Sequence, residues 1–256
     1  MPATRQPLSV AIITLNAAAQ LEACLQSVRF ADEIVVVDSG SSDGTPALAE
    51  RHGAKLVQQD WLGFGPQKQF AVEQARHDWV LCLDADERVT PELQAGIENA
   101  LKNPSTAAFR CARRNRFLGR YLKHGEGYPD WSLRLFDRRQ ARWSGDAVHE
   151  KVETQSRIGE LPGDLLHDSA ESLAAYLTKQ NRYTTLAADM ALAAGKRASF
   201  GHIAFSPLVR FIKFYLVRQG FRDGLPGLVH IAIGCFNSFM KYSKMLERQN
   251  SDATPR

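Results

Sequence analysis

Apolar and polar positions along the first hundred residues follow two alternating periods. LSVAIIT, residues 8–14, is a short run of branched residues, the pattern of a buried strand, and LEACLQSVR after it sets Leu21, Cys24, Leu25 and Val28 at helical spacing. EIVVVDSG predicts a second strand, TPALAERHG a helix closed by Gly53, AKLVQQD a third strand, PQKQFAVEQARH a helix and DWVLCLDADE a fourth strand. TPELQAGIENALKN predicts a helix with Thr90 as its cap and Pro91 in its first position. Strands alternating with short helices require parallel pairing through right-handed crossovers. Residues 8–103 therefore read as a doubly wound α/β half.

After residue 104 the rhythm changes. AAFRCARRNRFLG and WSLRLFDRR are longer extended runs joined by HGEGYPDW, and ARWSGDAVHEKVET is a further extended stretch, so a mixed sheet is expected there. From Ser172 onward the pattern is helical: LAAYLTKQNRYTTLAADMALAAG, then PLVRFIKFYLVRQG, then LVHIAIGCFNSFMKYSKMLERQ. The predicted class is α/β, a doubly wound and mostly parallel sheet with a mixed-sheet region and a C-terminal helical extension. The expected divisions are 1–104, 105–170 and 171–256.

Composition narrows the classes. In 256 residues, 44% apolar and 23% charged, a disordered or collagenous chain is excluded. Four scattered cysteines without a CxxC pair indicate neither a disulfide framework, nor zinc, nor a redox pair, and read as buried thiols. The N-terminal apolar run is too short for a signal peptide, which implies a cytoplasmic protein. The charge-free stretch Gly224–Met240 has 17 residues and contains Pro226, His230 and Asn237, so no transmembrane helix is predicted. The net charge of +4 is unevenly spread: from Tyr176 onward there are 12 Lys/Arg against 4 Asp/Glu, and before it 20 against 24.

In an open parallel sheet, ligands bind beyond the carboxyl ends of the strands. Those ends read Thr14-Leu15-Asn16, Asp38-Ser39-Gly40-Ser41-Ser42-Asp43-Gly44 and Asp84-Ala85-Asp86. Asp43 and Thr45 alone are explained as caps of the following helix. Asp84 and Asp86 are the stronger signal. Alternate residues of a strand end project to one face, and two carboxylates held together repel unless a cation lies between them; oxygen ligands select Mg2+ or Mn2+, which completes its shell with substrate phosphates. Neither a GxGxxG nor a GxxxxGK[ST] segment is present, so dinucleotide and P-loop readings have no support. Arg134, between Leu133 and Leu135, is a cation able to meet phosphate on donor or acceptor, or else to pair with Asp137 or Glu126.

TLNAAAQLEACLQSV, VVVDSGSSDGT and DWVLCLDADE closely resemble the nucleotide-sugar domain of family 2 glycosyltransferases, which have the GT-A fold. GFGPQKQFA, SLRLF, WSGDAVHE and LLHDSAES extend the resemblance to the lipopolysaccharide inner-core glucosyltransferases of the WaaE (KdtX) kind. It implies that Thr14 and Asn16 line the nucleoside pocket, that Asp38, followed by Ser39, bonds the uracil or its ribose, and that Lys68 contacts the base or diphosphate. Asp84 would hold the ribose or a metal-bound water, Asp86 would ligate the metal, and His167 would approach the metal or diphosphate. His149 is a further substrate contact. Gln69 departs from the Asn that many relatives carry there. The family inverts configuration by direct displacement, which needs a base outside the metal cluster; Glu150 is the choice, Asp146 and Asp130 follow, and the bland alternative pairs Glu150 with Arg142 or Lys151.

The resemblance thus implies a nucleotide-sugar-binding half over 1–104, an acceptor and base half over 105–170, and a basic extension over 171–256. The expected reaction moves a hexose, glucose from UDP-glucose, to a heptose of the lipopolysaccharide inner core. Another lipid-linked or protein acceptor, a metal-dependent nucleotidyltransferase and a non-catalytic sugar-binding module are the alternatives. On a helix over Pro207–Gly220, Arg210, Lys213 and Arg218 share about one third of the circumference, opposite Leu208, Phe211, Ile212, Tyr215 and Leu216. Such a helix is suited to lie on an anionic inner-membrane surface from the cytoplasmic side, or to pack its apolar side on the catalytic domain. Nucleic acid is not an expected partner, because no binding module surrounds the cations.

Overall fold

A computed structural model describes residues 5–145, 150–169 and 172–253, with residues 252 and 253 described by backbone alone. In chain order the elements are β1 (Leu8–Thr14), α1 (Ala18–Ser27), β2 (Glu33–Asp38), α2 (Thr45–Arg51), β3 (Lys55–Gln58), α3 (Phe64–Glu73), β4 (Trp79–Asp84), β5 (Glu87–Val89) and α4 (Pro91–Lys102). There follow β6 (Ala108–Phe117), β7 (Arg120–Tyr121), β8 (Asp130–Asp137), β9 (Ala141–Trp143), β10 (Val152–Thr154), β11 (Ile158–His167), α5 (Leu173–Ala193), α6 (Phe200–Phe211) and α7 (Gly224–Ala253). By contacts the chain forms two units, Met1–Arg114 with Asp130–Asp168, and Asn115–Pro129 with Ser169–Arg256.

The first unit is built on a sheet in the order β3-β2-β1-β4-β8-β6-β11-β5. β1 to β4 are parallel, and β8 joins β4 antiparallel, so the doubly wound half passes into a mixed half as the pattern predicts. β1 is buried along its whole length, which is why its sequence is a branched apolar run without alternation. Two apolar cores cover the two faces. One gathers Leu21, Leu25, Leu93, Ile97 and Leu101 from α1 and α4, the other Ala71 and Val72 from α3 with Trp143 from β9. Thr90 caps α4 as expected, its hydroxyl accepting from the Leu93 N–H at 3.3 Å. Register then fixes the site: Thr14 pairs with Asp38 and Ile13 with Asp84, so the three strand ends finish along one edge.

In the second unit α7 packs on α5 and α6, with Ala188, Ala191, Ala198 and Met245 at its centre. Asp223, buried, accepts from the backbone N–H of Lys123 at 2.9 Å and of His124 at 2.7 Å, holding the 115–129 segment to the helices. Two helix boundaries differ from the pattern. The second helix of this region starts at Phe200, with Pro207 inside it, because Ser199 and His202 form a reciprocal cap that fixes the start upstream. It continues as a π-helical turn, Ile212–Val217, and ends at Gln219, which has φ +55°. The last helix begins at Gly224, ahead of the expected Leu228.

The longest charge-free stretch of the sequence is 224–240, but among the described residues the helical segment long and apolar enough to cross a membrane, by length and composition, is Phe200–Val217, with mean hydropathy 1.2 over 18 residues. The charges at Arg210 and Lys213 break that run in the sequence. None of it is buried.

Candidate functional site

At the parallel edge the loops after β1 and β2 are tied together. Asn16 takes φ +50°, which Asn tolerates, and its side-chain oxygen accepts the Ser42 N–H at 2.9 Å while its own N–H donates to Ser41 Oγ at 2.8 Å. Asp38 is fully buried, and its carboxylate accepts from Thr14 Oγ1 at 2.9 Å, Gly40 N at 3.0 Å, Ser41 N at 2.8 Å and Ser41 Oγ at 2.5 Å. Both oxygens are thus taken by the chain's own donors, so Asp38 shapes the loop after β2. Ser39 Oγ accepts from Gln67 Nε2 at 3.0 Å, and Gln67 Oε1 accepts the Leu62 N–H at 3.2 Å, docking the segment before α3 against the β2 loop.

Beside this edge runs a chain of alternating charges. Glu150 Oε1 lies 3.2 Å from Lys68 Nζ, which is 3.2 Å from Asp84 Oδ1. Asp84 Oδ2 accepts from Arg134 Nη2 at 2.9 Å, and the same nitrogen donates to Glu87 Oε1 at 2.7 Å. Arg113 continues from Glu87, 3.3 Å away, to Asp130, 2.7 Å away. Glu87 is fully buried, and its other oxygen accepts the Asp84 N–H at 3.0 Å, so it holds the β4 end from behind.

Burial opposes ionisation of Asp84, yet the Arg134 and Lys68 cations outweigh it and hold the carboxyl well below the usual range. Burial likewise opposes the charge on Arg134, and Glu87 and Asp84 more than offset it, raising its pKa. Lys68 Nζ sits 4.9 Å from the Trp143 ring centroid, a cation–π contact that fixes the ammonium in place. Lys68, Asp84, Arg134, Trp143 and Glu150 all line one cavity of about 410 Å³.

Several expectations change here. The strand ends at Asp84, and Ala85 and Asp86 form the turn into β5, so strand alternation does not place the two carboxylates together. Asp84 is compensated within the protein by Lys68 and Arg134. Asp86 instead meets His167, whose Nε2 is 3.2 Å from Asp86 Oδ2. Among the described residues no three His, Cys, Asp or Glu side chains cluster as a metal site.

One carboxylate and one imidazole side by side still fit a divalent ion whose remaining ligands come from elsewhere, and Asp86 with His167 are the residues that would hold it. Arg134 pairs with neither Asp137 nor Glu126, and Glu150 pairs with Lys68 instead of Arg142 or Lys151. Asp130 is engaged by Arg113. His149 and Asp146 lie outside the described residues.

Glu87, Arg113, Gln67 and Trp143 were not singled out from the sequence. For Glu87 a signal existed: in the extended triplet Glu-Arg-Val it shares its alternation with buried Val89, a carboxylate where an apolar residue belongs.

The sequence profile of Glycosyl transferase family 2 matches residues 9–156. The chain is 33% identical to the lipopolysaccharide core biosynthesis glycosyltransferase LpsC of Rhizobium meliloti, over 97% of this chain and 95% of that protein. It is 31% identical to an uncharacterized glycosyltransferase of Rickettsia bellii, covering 94% and 86% of the two chains. Among solved structures, glucosyl-3-phosphoglycerate synthase of Mycobacterium tuberculosis, in complex with Mn2+, UDP and glucosyl-3-phosphoglycerate, superposes with TM-score 0.38 at 23% identity over 43% of this chain and 44% of that one.

Proposed function

The chain belongs to glycosyl transferase family 2, and from that premise we propose that it is an inverting hexosyltransferase that moves glucose from UDP-glucose to a heptose of the lipopolysaccharide inner core. The observation that carries this reading is Lys68, which joins the nucleotide-edge carboxylate Asp84 to the base candidate Glu150 on a single cavity. The similarity to LpsC supports the acceptor.

In this reading the nucleoside lies at Thr14, Asn16, Asp38 and Ser39. A uracil or ribose donor reaching Asp38 displaces one of the two hydroxyls, of Thr14 or Ser41, that reach its carboxylate through rotatable bonds. Lys68 and Arg134 face the diphosphate. Asp86 and His167 would hold Mg2+ or Mn2+, which would supply charge neutralisation for the departing diphosphate. Glu150 takes the proton of the acceptor hydroxyl as its oxygen bonds the anomeric carbon and the bond to the diphosphate breaks on the opposite side. No covalent sugar–enzyme species forms. The apolar surface of Phe200–Val217 holds the protein peripherally on the cytoplasmic face of the inner membrane, where such an acceptor is made.

Incubation with UDP-glucose, Mn2+ or Mg2+ and heptose-terminated truncated lipopolysaccharide should release UDP and add one hexose. Glu150→Gln should lower kcat about 100-fold or more with donor affinity retained, and Asp86→Ala should weaken metal-dependent donor binding. Absence of UDP release with every nucleotide sugar tried refutes the transferase assignment for these substrates, and a fully active Glu150→Gln removes the base.

A further inference from the structure

The cavity containing Glu150 has a buried floor and an exposed lip. The charges on the floor are matched: Lys68 by Asp84 and Glu150, Arg134 by Asp84 and Glu87. The lip is formed by Arg110, Trp131, Lys151 and Ile158, and among the described residues it carries no acidic lining side chain.

The Arg110 guanidinium carbon lies 4.6 Å from the Trp131 ring centroid, yet Trp131 remains 42% exposed. Arg110 is paired with Glu160, and both side chains are well exposed, so the pair is weak and an incoming anion exchanges readily with it. Lys151 has no ion-pair partner among the described residues. Arg134, 5% exposed and lining the same cavity, leaves its Nε without a hydrogen-bond partner. A volume of about 410 Å³ is in the range of small-ligand sites.

We propose that this lip is an acceptor subsite that recognises a sugar ring carrying an anionic group, a phosphate monoester or a carboxylate, close to the hydroxyl that is glycosylated. The apolar C–H face of the ring buries against the Trp131 indole. The planar Arg110 fork and the Lys151 ammonium take the anion, a pairing for which a guanidinium presents two parallel N–H donors. Glu150, lining the same cavity, then meets the neighbouring hydroxyl. The inference rests on the reading of Glu150 as base, and its test separates the two.

The full chain is assayed with one heptose-terminated core oligosaccharide in three forms: intact, phosphatase-treated and carboxyl-reduced. Loss of the recognised group should lower kcat/KM about tenfold or more, and the treatment that does so identifies the anion. Arg110→Gln should lose a similar factor on the intact acceptor and little more on the treated one, whereas Trp131→Ala should raise the acceptor KM for all three. Equal kcat/KM for the three forms, or an Arg110→Gln loss of the same size on each, overturns the proposal. The same oligosaccharides are titrated calorimetrically without donor. Charge-dependent binding without transfer keeps the subsite and refutes the reaction, while transfer without charge preference refutes the subsite alone.

Discussion

Lys68 stands between two carboxylates, Asp84 and Glu150, to which the proposed reaction gives different tasks, one at the nucleotide edge and one as base for the acceptor hydroxyl. A neutral side chain there leaves Asp84 and Glu150 without their shared cation, so Lys68→Met is expected to reduce kcat/KM about 100-fold, the scale of removing one preorganised electrostatic contact; steady-state kinetics with UDP-glucose checks it, and a change below about threefold refutes it. Glu87 has a structural role of comparable weight. It is fully buried and meets Arg134, Arg113 and the Asp84 N–H, so Glu87→Gln strands buried cations and should destabilise the protein by about 3 kcal/mol, read as a lower urea midpoint. An unchanged midpoint would show that the cations find other partners. Lys68 was legible in the sequence because a known pattern carries it. Glu87 was not, because a buried carboxylate is identified by the cations around it, and those come from strands about 26 and 47 positions away along the chain.

Elements were readable where one physical signal dominated. The parallel strands β1, β2 and β4 are apolar on both faces over most of their length, and the cap before α4 combines Thr90 with Pro91. The start of α6 was misplaced because Pro207 reads as a first helical position, whereas the reciprocal Ser199–His202 cap needs three-dimensional geometry to be seen. The turn after β4 was misjudged for a related reason: an acidic strand end and an acidic turn look alike in one dimension.

In α7, His230 packs edge-on against Phe117, 5.1 Å between ring centroids, and its Nε2 lies 3.3 Å from the Tyr176 hydroxyl. Burial lowers its pKa, with Glu126 and Asp223 opposing and Arg210 assisting that shift. The unfolded chain, with an ordinary imidazole near 6.5, therefore binds the proton more readily than the folded one. This contribution to stability is whole above about pH 6.5 and is lost as pH falls through the window down to the depressed folded value. His230→Gln should flatten the decline of the urea midpoint between pH 7.5 and 5 relative to the parent chain. Identical declines would remove His230 as its source.

At the scale of the whole molecule, counting charges already separates the chain, with 12 Lys/Arg against 4 Asp/Glu from Tyr176 onward. Counting does not tell whether the apolar side of a helix is covered. In the structure it is open: Phe200 is 81% exposed, Phe205 64% and Val217 73%, while Arg210, Lys213 and Arg218 gather around the Phe214 ring at 5.5, 5.2 and 5.9 Å. Exposed apolar area of this extent marks an interaction surface. Two cations within an 18-residue window make spanning costly, about 2.5–3.5 kcal/mol for each charge held near the bilayer centre. Lying in the plane of the interface turns the same cations toward lipid headgroups, where each contributes about 1 kcal/mol. The protein should therefore sediment with vesicles containing anionic lipid and much less with zwitterionic ones. Salt at about 0.5 M, where the screening length falls below about 5 Å, should release a part of it. Replacing Phe200 and Phe205 together by Ser should weaken binding at least tenfold, since two buried aromatic side chains contribute more than the 1.4 kcal/mol this needs. Retention on membranes after an alkaline wash would mean that Phe200–Val217 spans the bilayer, and equal affinity for neutral vesicles would remove the cations from the contact.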